Sequence, residues 1–290
     1  MKKIIGLFSA LLCALLLCTA AYADSISSCA VIGADLDDEQ AAQMYEQFGM
    51  ERGSVLEVRL TNADERSYLE GMVDEALLGT RSISCVYIEL LSEGSGIQVD
   101  TYNITWCTPE MYSAALVTAG ITDARVVVAS PFEVSGTSAL AGMYRAYQEL
   151  TGGALDDTAT MVGVEELTIT GELAEAIGSA DSEAIVSDLK QILTETVNMT
   201  DEELSAEIHA IAKQYNVNLT DGQVKRLVNL CRSLEGLNIG QLTERVQNMQ
   251  NTIKKVSEAK DEAAGFLESL KNVLSSVSDF FNRISAMFGK

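Results

Sequence analysis

The chain carries only two prolines, and each stands where a strand pattern gives way to a helix pattern. In Asn103-Ile104-Thr105-Trp106-Cys107-Thr108-Pro109-Glu110-Met111-Tyr112, Thr108 is suited to cap a helix and Pro109 falls at its first position, where a missing N–H costs nothing. In Pro131-Phe132-Glu133-Val134-Ser135-Gly136-Thr137, the proline follows the apolar strand Arg125–Ser130 and leads into a helix over Thr137–Leu150. Strands that run straight into helices need crossover connections, which makes the first half of the molecule an α/β sheet.

The order of the remaining elements agrees. Ile26 to Ala34 reads as a strand and Asp38 to Phe48 as a helix stopped by Gly49. Ser54–Leu60 alternates in the strand period, and a helix follows from the caps Asn62 and Asp64 to about Val73. Ser82–Leu91 and Ile97–Trp106 are strands joined by Glu93-Gly94-Ser95-Gly96, a hairpin signal. Shifting the chain by 71 residues aligns Glu39 with Glu110, Gly49 with Gly120, Val55 with Val126, Ser67 with Ser138, Leu69 with Leu140, Gly71 with Gly142 and Met72 with Met143. Residues 26–150 therefore read as two βαβα half-repeats plus an extra hairpin strand, forming one mixed sheet with right-handed crossovers.

Past Thr151-Gly152-Gly153 the chain is all-α, with candidate helices Gly171–Ile177, Ser182–Val197, Asp201–Tyr215 and Gly222–Leu234. From 239 to 290 a long amphipathic helix is expected: Ile239, Leu242, Val246, Met249, Ile253 and Val256 begin a heptad seam that runs to Phe288. Three uses fit this stripe: packing on the protein's own helices, a coiled coil, or contact with a membrane surface through 239–288. The expected division is a signal peptide over 1–23, an α/β domain over 24–152, a helical domain over 153–238 and the long helix over 239–290.

Lys2-Lys3, the apolar run Ile4–Cys18 and Ala21-Tyr22-Ala23 form a secretory signal pattern. Cleavage after Ala23 makes the product extracytoplasmic; a lipoprotein reading through Cys18 has Leu17 where a small residue is expected. No later stretch is apolar enough to span a bilayer. The net charge of -22 argues against nucleic-acid binding, which depends on Lys and Arg at phosphates. Residues 24–152 hold six arginines, no lysine and 20 acids, whereas 225–290 hold ten basic and seven acidic groups. Cys29, Cys85, Cys107 and Cys231 remain after the leader; buried thiols and one bridge both fit.

Several stretches match a known family. Leu78-Gly79-Thr80-Arg81-Ser82-Ile83-Ser84, Asn103-Ile104-Thr105-Trp106, Thr108-Pro109-Glu110-Met111-Tyr112, Thr118-Ala119-Gly120 and Val134-Ser135-Gly136-Thr137 resemble the domain-of-unknown-function family 1002, the YpuA-like exported proteins of Gram-positive bacteria. The resemblance covers most of 26–150, and Cys107 departs from it, where an aliphatic residue is expected. It implies export and this architecture but no activity.

The chemistry is narrowed by what is missing. The sole histidine, His209, falls in the helical tail, so the α/β part offers no Ser-His or Cys-His pair and no histidine-bound zinc. No cofactor or metal motif is present; the acids Asp35, Asp37, Asp38 and Glu39 fit no EF-hand loop. Ligands of open α/β sheets sit beyond the carboxyl ends of the strands. That rule selects Asn103, Thr105, Thr108, Glu110, Ser135, Gly136 and Thr137 as a ligand face. Gly136 there either opens an anion-binding helix start or relieves the backbone. Arg81 either clamps a ligand carboxylate or pairs with an internal acid such as Glu110. The expected protein is an exported, envelope-associated binding or scaffold module with an unidentified ligand or partner protein. The alternative is a hydrolase of wall or peptide material that works without histidine or metal.

Overall fold

A computed structural model describes residues 27–252 and 254. Its strands are β1 (Ser28–Gly33), β2 (Leu56–Leu60), β3 (Cys85–Leu90), β4 (Ile97–Ile104) and β5 (Ala124–Val134), and they form one mixed sheet in the order β2-β1-β3-β5-β4. β1 and β2 are parallel, as are β4 and β5, and β3 lies antiparallel between the two pairs. This is the mixed α/β sheet the sequence predicts.

The hairpin signal, however, is misread in one respect. β3 and β4 do not pair, because β5 lies between them. The Ser92–Gly96 connection straddles the start of β5: Leu91 N–H donates to the Asp123 carbonyl (3.0 Å), Gly96 N–H to an Asp123 carboxylate oxygen (2.9 Å), and Ala124 N–H to the Gly96 carbonyl (3.2 Å). A short glycine-rich turn reverses the chain without dictating which strand lies beside it.

Helix α1 (Asp38–Phe48) is held by an Asp37–Gln40 capping box and stopped by Gly49 in the left-handed region. α2 (Asn62–Leu69) and α3 (Glu75–Leu78) link β2 to β3; α2 stops short of the expected Val73. α4 (Pro109–Ala119) starts at the Thr108 cap with Pro109 at its first position and stops at Gly120, also left-handed. α5 is Thr137–Thr151.

The alternation of side chains along the strands splits the core in two. Ala30, Ile32, Cys85, Tyr87, Val127 and Ala129 face α1, while Val31, Val86, Ile88, Val126 and Val128 share a core with α2, α4 and α5. The two first-of-half helices, α1 and α4, thus lie on opposite faces of the sheet. Both crossovers step the same way along the sheet between strands of one direction, so their hands are opposite and one departs from the right-handed rule. The aligned caps and glycine stops of the 71-residue offset are therefore local likenesses; the halves cannot be brought into register by moving one along the sheet.

The helical part follows as α6 (Asp157–Ile177), α7 (Ser179–Gln191), α8 (Leu193–Thr196), α9 (Asp201–Gln214) and α10 (Asp221–Glu235), with a further helix over 239–252. α6 is three times the helix predicted at Gly171–Ile177. Its Val162, Val164, Leu167, Ile169 and Leu173 are buried between α4 and the later helices, so it has no polar face to give a period. Gly163 and Gly171 permit close approach: a Cβ on Gly163 would lie 2.8 Å from the Ala115 carbonyl oxygen, and one on Gly171 would overlap the Trp106 ring. One continuous core runs from the sheet through α6 to Leu242 and Val246 on the 239–252 helix. The described start of the heptad seam therefore packs internally. The rest of that seam, and the signal segment 1–23, lie outside the described residues. No described helix is long and apolar enough to cross a membrane.

Candidate functional site

The two joints lie side by side. Thr105 N–H donates to the Val134 carbonyl (2.9 Å), and the Trp106 and Cys107 N–H groups share the Ser135 carbonyl (3.3 and 3.1 Å). Just before this seam the β4–β5 ladder breaks. Between the pairs Tyr102–Ala129 and Ile104–Val134, β4 contributes only Asn103 whereas β5 contributes Ser130 to Glu133. The extra residues of β5 bow outward as a bulge around Pro131, which has no N–H to give the ladder. Asn103 fastens it: its backbone sits at φ +59°, and its side-chain amide donates to the Ser130 carbonyl (2.7 Å). A non-glycine residue in that region is strained and here is held by its own hydrogen bond. Tyr102, in the last ladder pair before the bulge, and Phe132, within it, are exposed, at 43% and 44%.

The hydroxyls expected at the rim are engaged by main chain. Ser135 and Thr137 both donate to the Leu77 carbonyl (2.8 and 3.2 Å), and Thr105 donates to the Val134 carbonyl (3.0 Å). Gly136 starts α5 at φ +91° with no side-chain cap. Its carbonyl accepts from the Tyr112 hydroxyl (2.5 Å), and an added Cβ would collide with Ile104 and lie 2.5 Å from that hydroxyl. Gly136 thus serves the close approach of Ile104 and Tyr112 to the helix start, and Thr137 is buried beneath. The two expected roles of Gly136 resolve toward the backbone.

The other candidates part company. Thr108 caps α4 by accepting from Met111 N–H (3.1 Å) and donates to Glu183 of α7. Glu110, exposed in the first turn of α4, lines a cleft with Glu183 and not the bulge. Arg81 is exposed and makes no ion pair among the described residues, so the expected internal partner is not found. The clamped arginine is Arg66, which bonds Glu75 (2.8 Å), Glu70 (3.1 Å) and the Gly79 carbonyl (3.0 Å). Asp37 caps α1, Asp38 pairs with Arg52, and Asp35 accepts from Ser82 N–H (2.7 Å); no metal-ligating group of three or more is found among the described residues. His209 is exposed on α9.

Two buried features escape a sequence reading. Glu65, in the first turn of α2, has no exposure, and burial pushes its pKa from an ordinary 4.5 up to about 7. Ser82 and Asn62 donate to it and pull the other way, while Asp35 adds to the rise. On α6, Glu166 is paired with Lys190 of α7 (2.7 Å), both under the surface. The signal for Tyr102 was available: alternation along β4 puts it on the same face as Gln98 and Asp100. The four cysteines are free and buried, with thiol pKa values pushed by burial up to about 12. Trp106 packs on α6 and donates to Glu175 (2.7 Å).

A family profile described as "Protein of unknown function (DUF1002)" matches residues 32–275. The chain is similar to the uncharacterized protein YpuA of Bacillus subtilis (strain 168), 33% identical over 289 residues that cover 97% of this chain and 96% of the relative. No solved structure matches.

Proposed function

The chain belongs to the DUF1002 family, and from that premise we propose that it is exported to the cell envelope and acts there by binding a ligand at the β4–β5 bulge. Export is supported by the charged, apolar and Ala-Tyr-Ala segments of residues 2–23. The binding reading is carried by one observation. Of the four large apolar side chains exposed among the described residues, Phe132 lies in the bulge that the strained Asn103 holds and Tyr102 stands in the last ladder pair beside it. Exposed aromatic rings beside a fixed amide suit a ligand with a flat apolar face and hydrogen-bonding edges, such as a sugar or an extended peptide. Turnover is less well served: the hydroxyls of Thr105, Ser135 and Thr137 donate to carbonyls and to no base, which favours a binding module over the hydrolase.

The test is co-sedimentation of the purified protein with peptidoglycan sacculi. Changing Tyr102→Ala and Phe132→Ala together is expected to lower retention about tenfold, from the ~0.5–1.5 kcal/mol that each aromatic contact contributes, with an unaltered urea midpoint. Retention equal to the unchanged protein would remove the bulge as the ligand face. For export, the amino terminus of the extracellular product should begin at Asp24.

A further inference from the structure

The sheet ends at β2, which pairs with β1 on one side and with no other strand among the described residues. Ala34 N–H donates to the Leu60 carbonyl (2.8 Å), which sets the phase of this parallel ladder. Alternate residues of such a ladder turn both main-chain groups to the same neighbour. Leu56, Val58 and Leu60 therefore give theirs to β1, whereas Glu57 and Arg59 each point an N–H and a carbonyl outward. No main-chain partner for these groups is found among the described residues. The two side chains stand together on the α1 face: the Tyr45 hydroxyl (2.7 Å) and Arg59 Nε (2.9 Å) both donate to the Glu57 carboxylate. Glu57 and Arg59 nonetheless stay partly exposed, at 26% and 35%.

Charge on an edge strand ordinarily keeps edges apart. Here the two charges are opposite in sign and two residues apart, which makes the edge self-complementary in one register. A second β2, antiparallel and related by a two-fold axis through Val58, sets Glu57 of each copy across from Arg59 of the other. These are also the residues whose main-chain groups point outward, so each crossed pair exchanges two hydrogen bonds. Sliding the partner by two residues opposes Glu57 to itself in one direction and Arg59 to itself in the other, and like charges directly across are destabilising. A slip of one residue sets the outward groups against residues whose main chain is turned to β1. Arg52, the remaining cation nearby, is paired with Asp38 (3.2 Å) and adds no unmatched charge.

The geometry points to a homodimer in which two β2 edges pair antiparallel and join the two five-stranded sheets into one, with the crossed Glu57–Arg59 pairs fixing the register. The partner is a second copy of this chain, because two-fold symmetry matches every charge on the edge with its opposite and leaves none over. A five-residue edge buries less than a standard interface, so the association belongs to the weak class. The bulge lies at the other edge of the sheet, on β4 and β5, and the dimer stands without it.

The experiment is sedimentation velocity of the purified protein over rising concentration, which is expected to show a monomer–dimer equilibrium. Glu57→Arg and Arg59→Glu each set like charges across the axis, and each should weaken dimerisation about tenfold, two attractive cross-strand pairs having become repulsive. Mixed in equal amounts, the two variants should recover the dimer, because every crossed pair between them is again of opposite sign. Glu202→Arg, the same change of charge on the exposed side of α9, should alter nothing. Urea midpoints establish that each variant is folded. A monomer at every concentration, a dimer indifferent to both edge variants, or no recovery on mixing would each overturn the proposal.

Discussion

Replacing Lys190 by methionine tests the reasoning about the interior most directly. The ammonium makes four contacts within 3.2 Å, and the side chains of Lys190 and Glu166 are 2% and 1% exposed. Without it, Glu166 is left between α6 and α7 with a single donor, the Thr118 hydroxyl. Breaking a buried pair from one side costs about 3–5 kcal/mol, because the survivor is an uncompensated charge. For a protein whose whole stability is of order 5–15 kcal/mol, that is a large share, and it corresponds to a fall in Tm of roughly 6–20 °C. The double change Lys190→Met with Glu166→Leu removes both charges and fills the space with hydrocarbon, so it should recover most of the loss. Urea denaturation of the two single variants and the double variant forms a cycle that isolates the coupling. If Lys190→Met costs less than about 1 kcal/mol, or the double variant is no more stable than the singles, the pair does not carry the charge balance described.

Three further outcomes follow from the same geometry. Glu65 has a folded-state pKa near 7 against an ordinary 4.5; the folded protein binds its proton more tightly, so the carboxyl's contribution is fully present below pH 4.5 and is lost as pH rises through 7, on the order of 3 kcal/mol. Glu65→Gln should flatten that part of the stability–pH curve, and an unchanged slope would rule Glu65 out as its source. Gly171→Ala must displace the Trp106 ring, at about 1–3 kcal/mol for overpacking; because Trp106 is the sole tryptophan, its emission should shift to the red, and unchanged emission would refute the contact. Ellman's reagent should titrate none of Cys29, Cys85, Cys107 and Cys231 in the folded protein and all four in urea, and reductant should leave Tm unaltered; a drop in Tm on reduction would reveal a bridge.

What the residues dictate locally was legible. Thr108 and Pro109 fix the start of α4, Gly49 and Gly120 end α1 and α4 in the left-handed region, and Thr200 with Glu203 closes the capping box of α9. These depend on hydrogen bonds and backbone sterics within a few residues, which any sequence displays. The adjacency of the two joints was legible too, as a consequence of parallel pairing between β4 and β5.

Tertiary packing decided the rest. The Ser92–Gly96 turn is compatible with a hairpin or with a straddled strand, and only the competition of β5 for the edge of β3 chooses. The face taken by α1 rests on Tyr45 and Phe48 finding Tyr87, and on the Tyr45 hydroxyl bonding Glu57 at 2.7 Å, contacts between residues far apart in the chain. Ser135 and Thr137 looked free for a ligand because the Leu77 carbonyl that takes their hydroxyls lies 58 and 60 residues earlier. Glu65, Glu166 and Glu183 read as ordinary surface acids, since a carboxylate's cost is set by what surrounds it in space. The sequence by itself therefore determined the ends that a local cap or a glycine stop marks, as in α1, α4 and α9. Long-range burial alone determined which of its many polar groups were left over to meet something else.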